Sequence, residues 1–250
     1  MENLTYDQLA LRELQVWQRE MQKGPSLLNM LSKAAQDKMN SFIPEKIHTA
    51  IATTLKQMIR AVLFGSRIIT PKPGAPASLE QIEMQVQKRI AIYRTAAAAE
   101  GGVTGAGGFL MGLADFPLFL SLKLKMLFDI SALYGYSTND YRERLYLLFI
   151  FQLTFSSQQQ RREVYLKMTN WNEQKQHLPP DINQFDWRSF QQEYRDYIDL
   201  AKMAQLIPII GAPVGAVVNY RLTDKLGRFA MNAYRMRKHD DASLVLPLTS

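Results

Sequence analysis

Apolar side chains recur at steps of three and four along most of the chain, which is the spacing of one face of an α-helix. The first such pattern runs from Tyr6 to Met21, follows the potential N-cap Thr5 and ends before Gly24 and Pro25. No stretch shows the alternation of a β-strand followed by a hairpin turn. The pattern therefore predicts an all-α fold, a multi-helix bundle of roughly eight to eleven helices. Further helices are predicted over residues 27–39, 44–64, 78–100, 123–136, 137–155, 158–168, 187–201 and 222–234.

A proline-rich stretch divides the chain. Residues 70–77 hold three prolines and one glycine, a composition typical of a loop. Directly after it, Ser78 and Gln81 have the spacing of a capping box, which predicts the start of a helix. The expected organisation is a variable N-terminal helical region (1–70), a loop (71–77), a helical domain (78–239) and a disordered tail (240–250).

Two segments stand apart because they are apolar and contain several glycines. Residues 101–122 hold six glycines and one charge, Asp115, and residues 204–220 hold no charge. Glycines four residues apart leave a groove without side chains on a helix, and a second backbone can approach closely there. Each segment also contains proline, so we predict that neither is one straight helix and that the two form broken, tightly apposed helices or helical hairpins that pack together. The contact glycines are expected to be Gly101, Gly105, Gly108, Gly112, Gly211 and Gly215.

Most enzyme signatures are missing from the sequence. The absence of cysteine excludes disulfides and thiolate chemistry, and the three histidines are too scattered for a zinc-binding helix motif. Phosphate-binding glycine loops and a serine nucleophile elbow are also absent. We therefore expect no metal and no cofactor. Glu100 and Asp115, which border the first glycine-rich segment, form a candidate carboxylate pair; alternatively, Asp115 pairs with a nearby cation or caps the Pro117 kink.

The net charge of +7, from 30 Lys and Arg against 23 Asp and Glu, favours an anionic partner. Basic residues near the C-terminus (Arg228, Arg235, Arg237 and Lys238) alternate with apolar ones and accompany no nucleic-acid motif. We interpret them as the solvent-exposed face of a packed helix and predict no nucleic-acid binding. Residues 1–20 carry charges throughout, which is not typical of a signal peptide, so we expect an intracellular location.

Both glycine-rich segments have cations before and after them. Cations mark the cytoplasmic end of a membrane-spanning helix, so neither segment has an end that is clearly cytoplasmic. A hairpin that dips into a membrane, a helix on an anionic lipid surface, a buried core element and a true span all remain open. In the membrane interpretations the flanking cations contact acidic headgroups. These cations are Lys123, Lys125, Lys202 and Arg221.

The run GGVTGAGGFLMGLADFPLFLSLKLKMLFDISALYGY at 101–136 and the later IPIIGAPVGAVVN at 207–219 resemble the EcsC family of bacterial proteins. The resemblance covers about residues 79–237 and includes Asp115-x-Pro117 and a Tyr-Gly-Tyr turn. Asp115 and Asn219 are the polar residues within these apolar motifs. We expect them to form a polar site with Glu100, or a structural hydrogen bond.

The resemblance implies either a link to membranes or a hydrolase activity. The membrane link follows because the family takes its name from a gene next to an ABC transporter. The resemblance identifies no catalytic residue in this chain. We expect an accessory or lipid-contacting module at the cytoplasmic face of the membrane, with anionic lipid or a membrane protein such as an ABC transporter as partner. The alternatives are a hydrolase that uses the polar site and a scaffold that binds a partner helix. The expected apolar contact residues are Phe109, Leu110, Phe116, Phe119, Ile209 and Ile210.

Overall fold

A computed structural model describes residues 4–24, 45–64, 72–75, 77–106, 108–198 and 212–240. Within these ranges the chain forms nine α-helices and two short 3₁₀ turns, with one isolated antiparallel bridge and no strand, so the all-α prediction is confirmed. The helices are α1 (Tyr6–Gln22), α2 (Glu45–Phe64), α3 (Leu79–Ala106), α4 (Gly108–Leu133), α5 (Tyr141–Phe155), α6 (Gln158–Met168), α7 (Trp171–Gln174), α8 (Trp187–Tyr197) and α9 (Ala212–Asp240).

Side-chain caps begin several helices where the sequence predicts them. Thr5 and Gln8 form a reciprocal capping box at α1, and Ser78 and Gln81 exchange the same two hydrogen bonds at α3. The start predicted at Ser137 is wrong. Helix α5 begins at Tyr141 because the Asp140 side chain, rather than Ser137, accepts the N-terminal backbone hydrogen bond.

The end of α4 explains the Tyr-Gly-Tyr sequence. Gly135 has φ of 89°, a left-handed conformation that glycine adopts without steric cost. The N–H of Gly135 donates to the carbonyl oxygen of Ala132, and the N–H of Tyr136 donates to the carbonyl oxygen of Ser131. These two hydrogen bonds form a Schellman cap. The glycine therefore ends the helix and turns the chain toward α5.

Helices α3, α4 and α9 form the centre of the bundle. Residue numbers rise along α3 as they fall along α9, so these two helices are antiparallel. The contacting pairs are Gly101 with Gly215, Arg94 with Asp224, Ile90 with Gly227 and Glu83 with Arg235. Helix α4 returns antiparallel to α3 and runs parallel to α9, as the pairs Tyr93–Asp129, Lys123–Asn219 and Tyr134–Tyr234 show.

The first glycine-rich segment lies where α3 ends and α4 begins. The segment is therefore not one straight helix, since α3 ends at Ala106 and α4 begins at Gly108, but the chain does not break at Pro117, which lies inside α4. A proline removes one backbone donor, and the helix continues because its other hydrogen bonds and its packing outweigh that loss. We call residues 100–106, 108–123 and 212–223 the glycine end of the bundle.

Helices on both sides of the loop predicted at 71–77 share one hydrophobic core. Trp17 of α1 packs edge-on against Tyr165 and Phe229. Helix α2 adds buried Ile51 and Leu55 to the same cluster. Residues 72–75 and 77 form neither helix nor strand, as predicted for this loop.

Several predictions fall on other parts of the chain. The helix predicted over 27–39, residues 204–211 and the tail 241–250 lie outside the described residues. The helix predicted over 187–201 ends at Tyr197. Ile198 is extended and pairs with Ser156 in the isolated bridge.

Candidate functional site

A polar cluster joins three helices at the glycine end. It consists of Glu100 in α3, Lys123 in α4 and Asn219 in α9. The Lys123 ammonium donates to Oδ1 of Asn219 at 3.3 Å, and both side chains are fully buried. Glu100 is partly buried, and its carboxylate interacts electrostatically with Lys123. Polar side chains therefore connect α3, α4 and α9 at one level of the bundle.

Lys123 is buried because of its position on α4. It follows Phe116 and Phe119 at helical spacing, on the face that packs inward. Its ammonium lies 5.5 Å from the centroid of the Phe119 ring, within the range of a cation–π interaction. The expectation that Lys123 contacts lipid headgroups is therefore corrected, since the side chain is enclosed by protein. Phe116 and Phe119 are likewise core residues and supply no apolar surface.

Burial changes the proton affinities of the cluster. It lowers the pKa of Lys123 to about 8, and the negative charge of Glu100 opposes this effect. Burial also raises the pKa of Glu100, the charge of Lys123 lowers it, and the charge of Asp115 raises it. Asp115 is partly exposed. It is thus close enough to act on Glu100 through its charge.

A close backbone approach forms beside the cluster. A methyl group added to Gly101 would lie 2.7 Å from the carbonyl oxygen of Gly215 and 2.8 Å from Nδ2 of Asn219, distances that real side chains do not adopt. Glycine at 101 therefore permits this approach of α3 to α9. Among the described residues, Nδ2 of Asn219 and the hydroxyl of Thr223, one turn further on, are buried without a hydrogen-bond partner.

The remaining predicted residues are distributed as follows. Gly105 is in α3, and Gly108 and Gly112 are in α4; the structure describes their backbone but not their packing. Lys202 and Gly211 lie outside the described residues. Lys125 is exposed and 3.6 Å from a carboxylate oxygen of Asp129. Arg221 is exposed. Phe109, Leu110, Ile209 and Ile210 also lie outside the described side chains.

Arg235 and Arg237 were interpreted as solvent-exposed, and this is wrong. The Arg235 guanidinium forms two parallel hydrogen bonds with fully buried Glu83, at 2.6 and 2.7 Å. Arg237 pairs in the same manner with Glu143 and lies 3.8 Å from the centroid of the Tyr136 ring. The periodicity contained a signal for Glu83, because it precedes the buried Val86 and Ile90 by one and two helical turns.

Further groups converge on Glu83. The hydroxyls of Tyr6 and Tyr134 donate to its two oxygens, and Arg235 also reaches Glu13 of α1. Burial lowers the pKa of Arg235, but the hydrogen bonds and the negative charge of Glu83 outweigh this effect and raise the pKa above its ordinary value. This network holds α1, α3, α4 and α9 together at the end of the bundle opposite the glycine end.

The chemistry open to the polar cluster is limited by its burial. Lys123 and Asn219 are enclosed, so a substrate has no direct access to their reactive atoms. Among the residues that the structure describes, no group of histidine and carboxylate side chains has the geometry of a metal site. None of the helices in the described ranges has the length and apolarity needed to cross a bilayer.

Comparison with known proteins places the chain in a family. The model of the EcsC protein family matches residues 8–238, so the match begins well before residue 79 and includes α1 and α2. The chain is 43% identical over 235 residues to Protein EcsC of Bacillus subtilis (strain 168), covering 94% of this chain and 97% of that protein. It is 25% identical to the Uncharacterized protein YdbA of the same strain, covering 91% of each. No solved structure matches. The chain therefore belongs to the EcsC protein family.

Proposed function

We propose that the chain is an accessory module that contacts the cytoplasmic face of an anionic membrane through its glycine end. The observation that carries this proposal is a set of exposed apolar side chains on α4 and α9. Leu118 is 58% exposed, Val217 is 48% exposed and Tyr220 is 37% exposed. Large apolar side chains exposed together on one part of a surface favour contact with a membrane or a partner.

Two of the three residues lie beyond the polar cluster, and Tyr220 lies at its level, with its ring centroid 5.0 Å from the guanidinium carbon of Arg94. Lys123 and Asn219 are at the same level, because they are hydrogen-bonded. Leu118 precedes Lys123 by five residues and Val217 precedes Asn219 by two, so both lie beyond the polar cluster toward the start of their parallel helices. Leu118 and Val217 are therefore exposed apolar side chains within the glycine end.

Charge and sequence support the same surface. The exposed cations Lys125 and Arg221 follow the apolar residues on α4 and α9, and residues 204–220, which precede Arg221, contain no charged side chain. An apolar tip with cations behind it is the arrangement by which proteins bind an anionic lipid surface without crossing it. Lys125 also contacts Asp129, which leaves Arg221 as the stronger candidate for a headgroup contact.

The enclosed polar cluster supports a structural role more than the hydrolase alternative. A hydrolase needs its reacting groups in contact with substrate, whereas Lys123 and Asn219 are fully buried. We infer that their hydrogen bond, together with the charge of Glu100, fixes the positions of α3, α4 and α9 and so shapes the contact surface. A membrane protein such as an ABC transporter is the second candidate partner for this surface.

Vesicle sedimentation tests the proposal. Purified protein is mixed with vesicles of phosphatidylcholine alone or with phosphatidylglycerol, at low and high salt. We expect binding only to the anionic vesicles, weakened by salt because exposed charges are screened. The Leu118→Ser variant should bind several-fold more weakly. The matched control is Val16→Ser, because Val16 is 59% exposed but lies on α1, which packs against the opposite end of the bundle.

The outcomes separate the candidate partners. Binding to anionic vesicles that is lost on Leu118→Ser and retained on Val16→Ser supports direct lipid contact. Absence of binding at low salt removes the lipid as partner and leaves the membrane protein. Equal weakening by both substitutions would show that the glycine end is not the contact surface.

A further inference from the structure

A second surface feature lies between α2 and α8 and is lined by none of the residues of the glycine end. It is a groove of about 590 Å³. We call it the basic groove; it is lined by Lys56, Trp187, Arg188, Gln191, Gln192 and Arg195. Three of these six residues are cations and none is an acid.

Two further contacts concentrate positive charge at this groove. The guanidinium carbons of Arg60 and Arg188 lie 5.7 Å and 5.8 Å from the centroid of the Trp187 ring. Lys56 lies one helical turn from Arg60 on α2, so cations from both helices lie near Trp187. Two acids of α8 and its N-cap offset part of this charge. Asp196 pairs with Arg195 at 3.1 Å, and Asp186, which caps α8 by accepting from Ser189, also interacts with the charge of Arg188. The α2 cations Lys56 and Arg60 come from the opposite side of the groove.

We propose that the basic groove binds a phosphoryl anion. Arginine presents a planar fork of N–H donors that matches two phosphate oxygens, and lysine adds a mobile point charge. Gln191 and Gln192 add amide donors that can reach oxygens which the cations leave free. An anion between α2 and α8 would be attracted by the cations of both helices. A carboxylate offers only two oxygens to this set, which is why we assign the phosphoryl group.

Trp187 gives a direct measurement of binding. The chain has three tryptophans, and the other two, Trp17 and Trp171, are buried in the core. The full-length protein is titrated with pyrophosphate at constant ionic strength while tryptophan fluorescence is recorded. We expect a saturable change that disappears in the Trp187→Phe variant.

Paired variants test the specificity. The double substitution Arg60→Gln with Arg188→Gln should raise the dissociation constant for pyrophosphate at least tenfold, as measured by calorimetry. Both side chains are exposed, so the variant is expected to fold. The control is Arg12→Gln, which removes an exposed cation of α1 and should leave the affinity unchanged. Chloride at the same ionic strength should not displace pyrophosphate from the basic groove.

Two ligand arms identify the source of the phosphoryl group. Pyrophosphate binding that depends on Arg60 and Arg188 supports a soluble ligand. Binding confined to dihexanoyl phosphatidic acid below its micelle concentration, and lost in the same double variant, supports a lipid headgroup. If neither ligand binds saturably, or if Arg12→Gln weakens binding as much as the double substitution, the proposal is overturned. The glycine-end variant Leu118→Ser should bind pyrophosphate normally, so this test is independent of the proposed membrane contact.

Discussion

At the scale of single residues, Lys123 has an unusual environment for a cation. Burial lowers its pKa from the ordinary 10.5 to about 8. Between pH 8 and 10.5 the unfolded chain therefore holds a proton at this position that the folded chain has released. Stability rises with pH wherever the unfolded state binds more protons. Burial of the charged lysine thus destabilises the fold most below pH 8.

We therefore predict that Lys123→Met alters the pH dependence of stability. The free energy of unfolding of the wild type should rise by about 2 kcal/mol between pH 7.5 and 9.5, relative to the variant, because methionine has no proton to lose. Urea unfolding at a series of pH values measures this difference. Lys125→Met is the control. Lys125 lies two residues from Lys123 and is exposed, so its loss should leave the pH dependence of the free energy of unfolding as in the wild type. Parallel profiles for the wild type and Lys123→Met would contradict the prediction.

At the scale of helices, the contact of α3 with α9 depends on one glycine and not on its neighbour. A methyl group at Gly101 would meet the Gly215 backbone at 2.7 Å, whereas one at Gly102 would only touch the Ala216 side chain at 3.9 Å. Backbone atoms cannot move aside unless a helix shifts. Two adjacent glycines of one helix thus differ sharply in what they tolerate.

The matched pair of alanine substitutions tests this difference. We expect Gly101→Ala to lower the free energy of unfolding by about 1 to 3 kcal/mol, because α3 and α9 must separate. Gly102→Ala should raise it by up to about 1 kcal/mol, since alanine favours a helix more than glycine does. The denaturation midpoints of both variants measure the effects. A neutral Gly101→Ala would mean that the helices are not held at the distance seen in the structure.

Periodicity predicts these helices better than it predicts their polar contacts. The i, i+4 glycine spacing indicated a close backbone approach, and Gly101 does lie against Gly215. The burial of Lys123, Arg235 and Arg237 was not predicted. A cation at helical spacing is usually solvated, and its partner comes from a distant part of the chain; Glu83, for example, precedes Arg235 by 152 residues. Only the three-dimensional packing brings such partners together.

At the scale of the whole molecule, the N-terminal region is part of the same folded unit as the rest. The sequence placed a boundary at the proline-rich loop, because prolines mark the ends of helices and give no information about which helices pack together. In the structure, Leu14, Trp17 and Met21 of α1 are buried in the common core, and Glu13 pairs with Arg235 of α9. The family match from residue 8 onward is consistent with this arrangement.

A chain that begins at residue 25 is therefore predicted to be severely destabilised. Each large apolar side chain of α1 that leaves the core costs about 1.5 to 3 kcal/mol, so their combined loss approaches the whole stability of an ordinary domain. Urea unfolding followed by circular dichroism should show a much lower midpoint or no cooperative transition. Two substitutions in the full chain calibrate the result: Leu14→Ala, on the buried face of α1, should cost about 2 to 5 kcal/mol, and Val16→Ser, on the exposed face, should change little. If the shortened chain unfolds at the wild-type midpoint, α1 does not stabilise the rest of the fold, and the shared core does not make α1 part of one cooperative unit.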